Sequence, residues 1–180
     1  MNVKTENLSS RKLPKLEMMV QTSLSVVPPE HLRGLTRIVV VDVISEPRLS
    51  SAQRASLPAL YHPKMQGQPA CGEIALSILL PEKRFPKGLL SRMTVKQNIA
   101  QLVIALVGQH YHLTLGKGTK RDRLEIACRL YAEKYFNVWR ERQGGLRMKL
   151  TKPFRPFLDK LAKKASKMYA KEMEKQRKGS

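Results

Sequence analysis

One run of this chain dictates what its interior must be. From Val95 to about Leu113 the only charged side chain is Lys96. A helix that apolar all round has to be enclosed by protein or lipid. The most apolar part, Ile99–Val107, is nine residues and contains Gln101. A membrane span needs ~20 predominantly apolar residues. The run therefore predicts a buried central helix and no membrane span. Thr94-Val95-Lys96-Gln97 has the pattern of a capping box at its start. Gly116-Lys117-Gly118 marks its end.

The remaining segments supply the walls. Arg37–Ile44 is rich in β-branched residues and reads as a strand buried on both faces. Ser45–Pro58 is polar and reads as a loop. Leu57–Tyr61 reads as a short extended segment, followed by a Gly/Pro-marked turn from Gln66 to Pro69. Gly72–Leu80 reads as a further strand closed by Pro81, and Glu82–Gly88 as a basic loop. A second helix is expected from about Lys120 to Glu141. Its stripe is Leu124, Ala127, Cys128, Tyr131 and Tyr135, and Gly144-Gly145 ends it. Pro153 and Pro156 introduce a last, basic helix, about Phe157 to Arg177. The fold class is α+β: a sheet of two or three strands, a buried central helix, a second packed helix and a basic C-terminal helix.

Residues 1–25 are polar, without a clear period, and read as an arm that orders on contact. They lack the apolar stretch of ~7–15 residues that a signal peptide requires. Val26-Val27-Pro28-Pro29-Glu30-His31-Leu32 marks entry into a domain over 26–142, with a basic extension over 143–180. The two cysteines, Cys71 and Cys128, make no disulfide framework and are expected as reduced core residues of a cytoplasmic protein.

Charge gives the functional lead. The 180 residues carry 34 Lys+Arg against 14 Asp+Glu, a formal charge of +20. Residues 1–116 hold 14 basic and 7 acidic side chains, and residues 117–180 hold 20 and 7. Well-solvated helices explain many lysines but not the missing acids. A polyanionic partner does, and nucleic acid, DNA or RNA, is the expectation. The candidate contacts are Lys117, Lys120, Arg121 and Arg123 at the loop and helix start, Arg140 and Arg142 at the helix end, then Lys152, Arg155, Lys160, Lys163, Lys164, Lys167 and Lys171. Lys117 sits before Gly118 rather than after it, and a helix precedes it, so the loop is not a nucleotide-binding P-loop. Its free amides still suit a phosphate. Among Tyr131, Tyr135, Phe136 and Trp139, spacing favours core. Trp139, beside Arg140 and Arg142, is the candidate for stacking on bases. Lysine predominates on the last helix and suits backbone contact more than base reading.

The segment Leu106-Val107-Gly108-Gln109-His110-Tyr111-His112-Leu113, with the order of elements around it, resembles the zincin metallopeptidases. In that family a buried helix carries His-Glu-x-x-His, and the next helix often brings a Glu as third zinc ligand. The resemblance, over about residues 26–140, aligns the first His with Gly108, the Glu with Gln109, the second His with His112 and the third ligand with Glu125. Gly108 has no ligand atom, and the Gln109 amide cannot take a proton from water. Gln109, His112 and Glu125 thus read as a vestigial metal site with no catalytic residue and no cofactor. His110 lies two residues from His112 and points to a different helix face.

The expected function is a non-catalytic nucleic-acid-binding accessory protein, a subunit with other proteins of a bacterial or mobile-element nucleoprotein complex. The alternatives are a zinc metallopeptidase with altered ligands and a basic peripheral membrane or scaffold protein.

Overall fold

The computed structural model describes residues 3–11, 13–65, 67–80, 88–116 and 121–143. The expected C-terminal helix and the basic residues Lys117, Lys120, Lys152, Arg155, Lys160, Lys163, Lys164, Lys167 and Lys171 lie outside them. So does the side chain of Arg121. Residues 1–139 form one unit and residues 140–180 a second.

The β-branched run forms the central strand. Strands β1 (Lys4–Asn7), β2 (Leu35–Val41), β3 (Ala59–His62) and β4 (Ala70–Ala75) make a four-stranded sheet in the order β1-β2-β4-β3. β1, β2 and β4 run parallel, and β3 closes the edge antiparallel to β4. Parallel neighbours need crossover connections. Helix α1 (Leu16–Leu24) lies between β1 and β2 in the chain. Helix α2 (Ser51–Ser56) precedes β3, and the one-turn helix α3 (Leu76–Leu79) follows β4. The architecture is mixed α+β, as expected.

The long helix α4 (Leu89–His110) lies over one sheet face. Val95, Ile99, Ala100, Val103, Ile104, Leu106 and Val107 are buried along it, with Val20 and Leu24 of α1 and Ile38, Val40 and Ile74 of the sheet in the same core. Gly72 fixes how near α4 comes. A Cβ there would meet Ile38 Cδ1 and Leu106 Cδ1, each at 2.9 Å. A π-helical turn, Tyr111–Leu115, ends this element, with Gly116 N–H donating to the Tyr111 carbonyl at 2.6 Å. Helix α5 (Arg121–Gln143) follows.

Several boundaries depart from the expectations. The described part of 1–25 is no arm: β1 pairs with β2, and Val3, Leu13, Leu16, Met19, Val20 and Leu24 are buried. Among the described residues four strands form, against the two or three expected, because β1 comes from that leader. The loop Ser45–Pro58 contains α2, started by a true capping box between Ser50 and Gln53. The strand from Gly72 stops at Ala75, and the chain turns through α3. Thr94 lies inside α4 rather than at its start: the helix begins a turn and a half earlier, with Gly88 as its N-cap. Trp139 is 2 % exposed, so it is core and not a stacking platform. Cys71 and Cys128 are half-buried free thiols rather than core residues.

Candidate functional site

The end of α4 brings together the residues that the sequence marks. His110 is 1 % exposed. Its Nε2 lies 3.0 Å from the Arg33 carbonyl, which can only accept, so Nε2 carries the proton. Its Nδ1 then accepts from the Tyr61 hydroxyl at 2.8 Å. The Thr114 hydroxyl donates to the His110 carbonyl. Burial lowers the imidazole pKa and favours the neutral ring, opposed by the Arg33 carbonyl bond. Both ring nitrogens are engaged, and His110 acts as a rivet between α4, β3 and the turn before β2.

Beside it lies an aromatic cluster. The 3-10 turn Pro29–Leu32 presents His31, whose ring stands 4.0 Å from that of Tyr111 and 5.6 Å from that of Tyr131. Tyr111 and Tyr131 stack at 5.7 Å, and Tyr135 lies 4.6 Å from Tyr131. His31 Nδ1 and the Tyr131 hydroxyl are 2.9 Å apart. Desolvation lowers the His31 pKa, helped by Lys134 and His112 and opposed by Glu30. Desolvation, with Tyr135, Tyr111 and Glu30, pushes the Tyr131 phenol well above its usual range. The phenol therefore keeps its proton and donates it to a neutral His31.

The vestigial site is divided between two places. Gly108 faces α5 so closely that a Cβ would lie 2.9 Å from Tyr131 Cδ1. The space beside the first motif position is thus filled by the Tyr131 ring. His112 touches the cluster edge-on, 5.9 Å from Tyr131, and its Nδ1 is buried with no hydrogen-bond partner among the described residues. Gln109 and Glu125 instead line a groove of about 630 Å³ between α4 and α5, with Leu113, Cys128 and Arg129. Glu125 is exposed. Gln109 and Glu125 share this groove, and His112 is not among its lining residues. No group of three His, Cys, Asp or Glu side chains suited to hold a metal ion occurs among the described residues.

Sequence reasoning missed a second concave feature. The sheet face away from α4 carries Arg37, His62, Cys71 and Glu73 and opens into a cleft of about 840 Å³. Glu73 is 4 % exposed and accepts from Ser45 Oγ at 2.7 Å, with His62 Nε2 at 3.0 Å. His62 Nδ1 lies 3.7 Å from Glu46. Arg37 pairs with Glu6 at 3.3 Å. Burial raises the Cys71 thiol pKa, against the pull of Arg37, so the thiol stays protonated and weakly nucleophilic. The alternation of β4 was the available signal: Cys71 and Glu73 share one face, and Gly72 and Ile74 the other.

Of the expected nucleic-acid contacts, the described ones are Arg123, Arg140 and Arg142, all exposed on α5. No described helix is long and apolar enough to cross a membrane. Comparisons with protein-family models, curated proteins and solved structures returned no match.

Proposed function

We propose that the chain is a non-catalytic nucleic-acid-binding protein that grips phosphate backbones through the loop after α4, the exposed arginines of α5 and the segment 144–180. The carrying observation is the charge excess and its location. Residues 121–143 hold six basic and four acidic side chains, whereas residues 144–180 hold twelve and three. Lysine-rich segments with few acids attract phosphates by counterion release, with little sequence preference. An accessory role within a nucleoprotein complex follows from the same reading. The loss of a zincin-type reaction in this reading is supported by Gly108 and Gln109 at the motif positions and by the Tyr131 ring lying against Gly108.

The test is binding of the full chain to duplex DNA, single-stranded DNA and RNA across a salt series. The expected outcome is tight low-salt binding whose log affinity falls linearly with log salt. On B-DNA the slope approaches about −0.9 per phosphate contacted. Absence of binding to all three at low salt overturns the reading.

A further inference from the structure

Helix α5 has two faces of opposite use. Tyr131 and Trp139 are buried on one. The other exposes Ile126 (51 %) and Leu130 (58 %), two large apolar side chains one turn apart. Isolated exposed apolar residues need no explanation, but this pair sits within a pattern. Arg123 lies three residues before Ile126, and Glu133 three residues after Leu130, both exposed. Asn137, also exposed, continues the series. Positions 123, 126, 130, 133 and 137 follow the 3-4-3-4 spacing of a helix–helix seam. Among the described residues, neither Arg123 nor Glu133 has an ion-pair partner.

The order of side chains on this stripe is self-complementary in one orientation only. Place a two-fold axis against the exposed stripe, midway between Ile126 and Leu130, and run a second α5 antiparallel. Ile126 then meets Leu130 of the copy, twice, and Arg123 meets Glu133 of the copy, also twice. A parallel pair would set Arg123 against Arg123 and Glu133 against Glu133, which costs energy. A two-fold interface of this isologous kind closes on itself and stops at two chains.

We propose that the exposed face of α5, centred on Ile126 and Leu130 and flanked by Arg123 and Glu133, is a homodimer interface in which two copies of this chain pair antiparallel. The stripe from Arg123 to Asn137 is about 21 Å long at 1.5 Å per residue. That is a small contact, at the low end of specific interfaces, so the dimer is concentration-dependent. The dimer takes Arg123 out of the set of phosphate contacts and leaves Arg140 and Arg142, and it is tested without any nucleic acid.

Sedimentation equilibrium of the full chain, purified free of nucleic acid, tests it. The mass should rise from one chain towards two between about 1 and about 200 µM, the range of weak specific interfaces. Ile126→Lys with Leu130→Lys should leave a monomer throughout, with unchanged circular dichroism, since both side chains are exposed. Glu133→Arg alone should weaken the dimer at least ~tenfold, because two attractive pairs become two repulsive ones. Adding Arg123→Glu to it should restore dimerisation, since the swapped pairs attract again. A monomer at every concentration overturns the proposal. So does a dimer indifferent to the double lysine variant, or a charge swap that fails to restore pairing.

Discussion

Gly108 and His110, two residues apart on α4, pack its opposite faces, Gly108 against Tyr131 and His110 against Tyr61 and the Arg33 carbonyl. At Gly108 the missing side chain is the useful property, because Tyr131 Cδ1 lies 2.9 Å from where a Cβ would stand. Tyr131 is tied to His31 and stacked on Tyr111, so it cannot give way freely. Gly108→Ala should therefore destabilise the chain by about 1–3 kcal/mol, the usual cost of overpacking. Gly108→His should cost more and should not create a zinc site, since its ring needs the space that Tyr131 fills. Urea unfolding and zinc titration by calorimetry measure the two effects. A Gly108→Ala variant as stable as the parent would show that Tyr131 moves aside. His110 makes a pH prediction. Its folded pKa lies below the ordinary imidazole value of about 6.5. The unfolded chain therefore binds the proton first, and stability present above about pH 6.5 is lost as pH falls towards the folded pKa. His31, lowered chiefly by desolvation, adds in the same sense. Urea midpoints should fall from pH 7.5 to pH 5, about one unit above and more than one below that value. His110→Gln, though less stable at neutral pH, should show a shallower fall; an unchanged slope would remove His110 from the account.

At the scale of elements, the leader carries the clearest prediction. β1 forms an edge of the sheet, and α1 buries Leu16, Met19, Val20 and Leu24 against the core that α4 shares. Deleting residues 1–25 should thus abolish cooperative unfolding rather than trim a surface. Six buried large apolar side chains exceed what a domain of about 5–15 kcal/mol can lose. A truncated chain that melts sharply at the parent temperature would reinstate an independent arm. This element also marks how far the sequence was legible. The long apolar run declared α4, the β-branched run declared β2, and the stripe of α5 was readable to within two residues at each end. What failed was local reading of short amphipathic pieces. Lys4–Asn7 is a polar strand that owes its state to Arg37–Val40 across the ladder, a partner thirty-three residues away. Leu76–Leu80 has strand composition, but the chain leaves the sheet after Ala75, where the Ser77 N–H reaches the Asp42 carbonyl. At the site, the helix end and its His110, Tyr111 and His112 were marked by sequence. The partners His31, Tyr61 and Arg33 were not, because lone residues on separate segments converge only through tertiary structure.

Over the whole molecule, charge and fold are distributed differently. Residues 1–139 form one unit with the sheet and its helices, and residues 144–180 carry twelve basic side chains against three acidic. The described core runs from Val3 to Trp139, and the net repulsion among so many cations opposes compaction. A chain ending at Gln143 should therefore keep the thermal midpoint of the full chain within a few degrees, a shift of about 1 kcal/mol or less. Its nucleic-acid binding should change far more. If about half of the twelve basic side chains touch phosphates, the log–log salt slope on duplex DNA becomes shallower by about 5 units. Thermal melts and salt-dependent anisotropy on the two chains separate the roles. Equal slopes would move the phosphate contacts onto the body and the exposed arginines of α5. A large fall in the melting temperature would instead give the basic segment a part in holding the body together. The two readouts answer different questions, because one follows the core built around α4 and the other the charge that lies beyond α5.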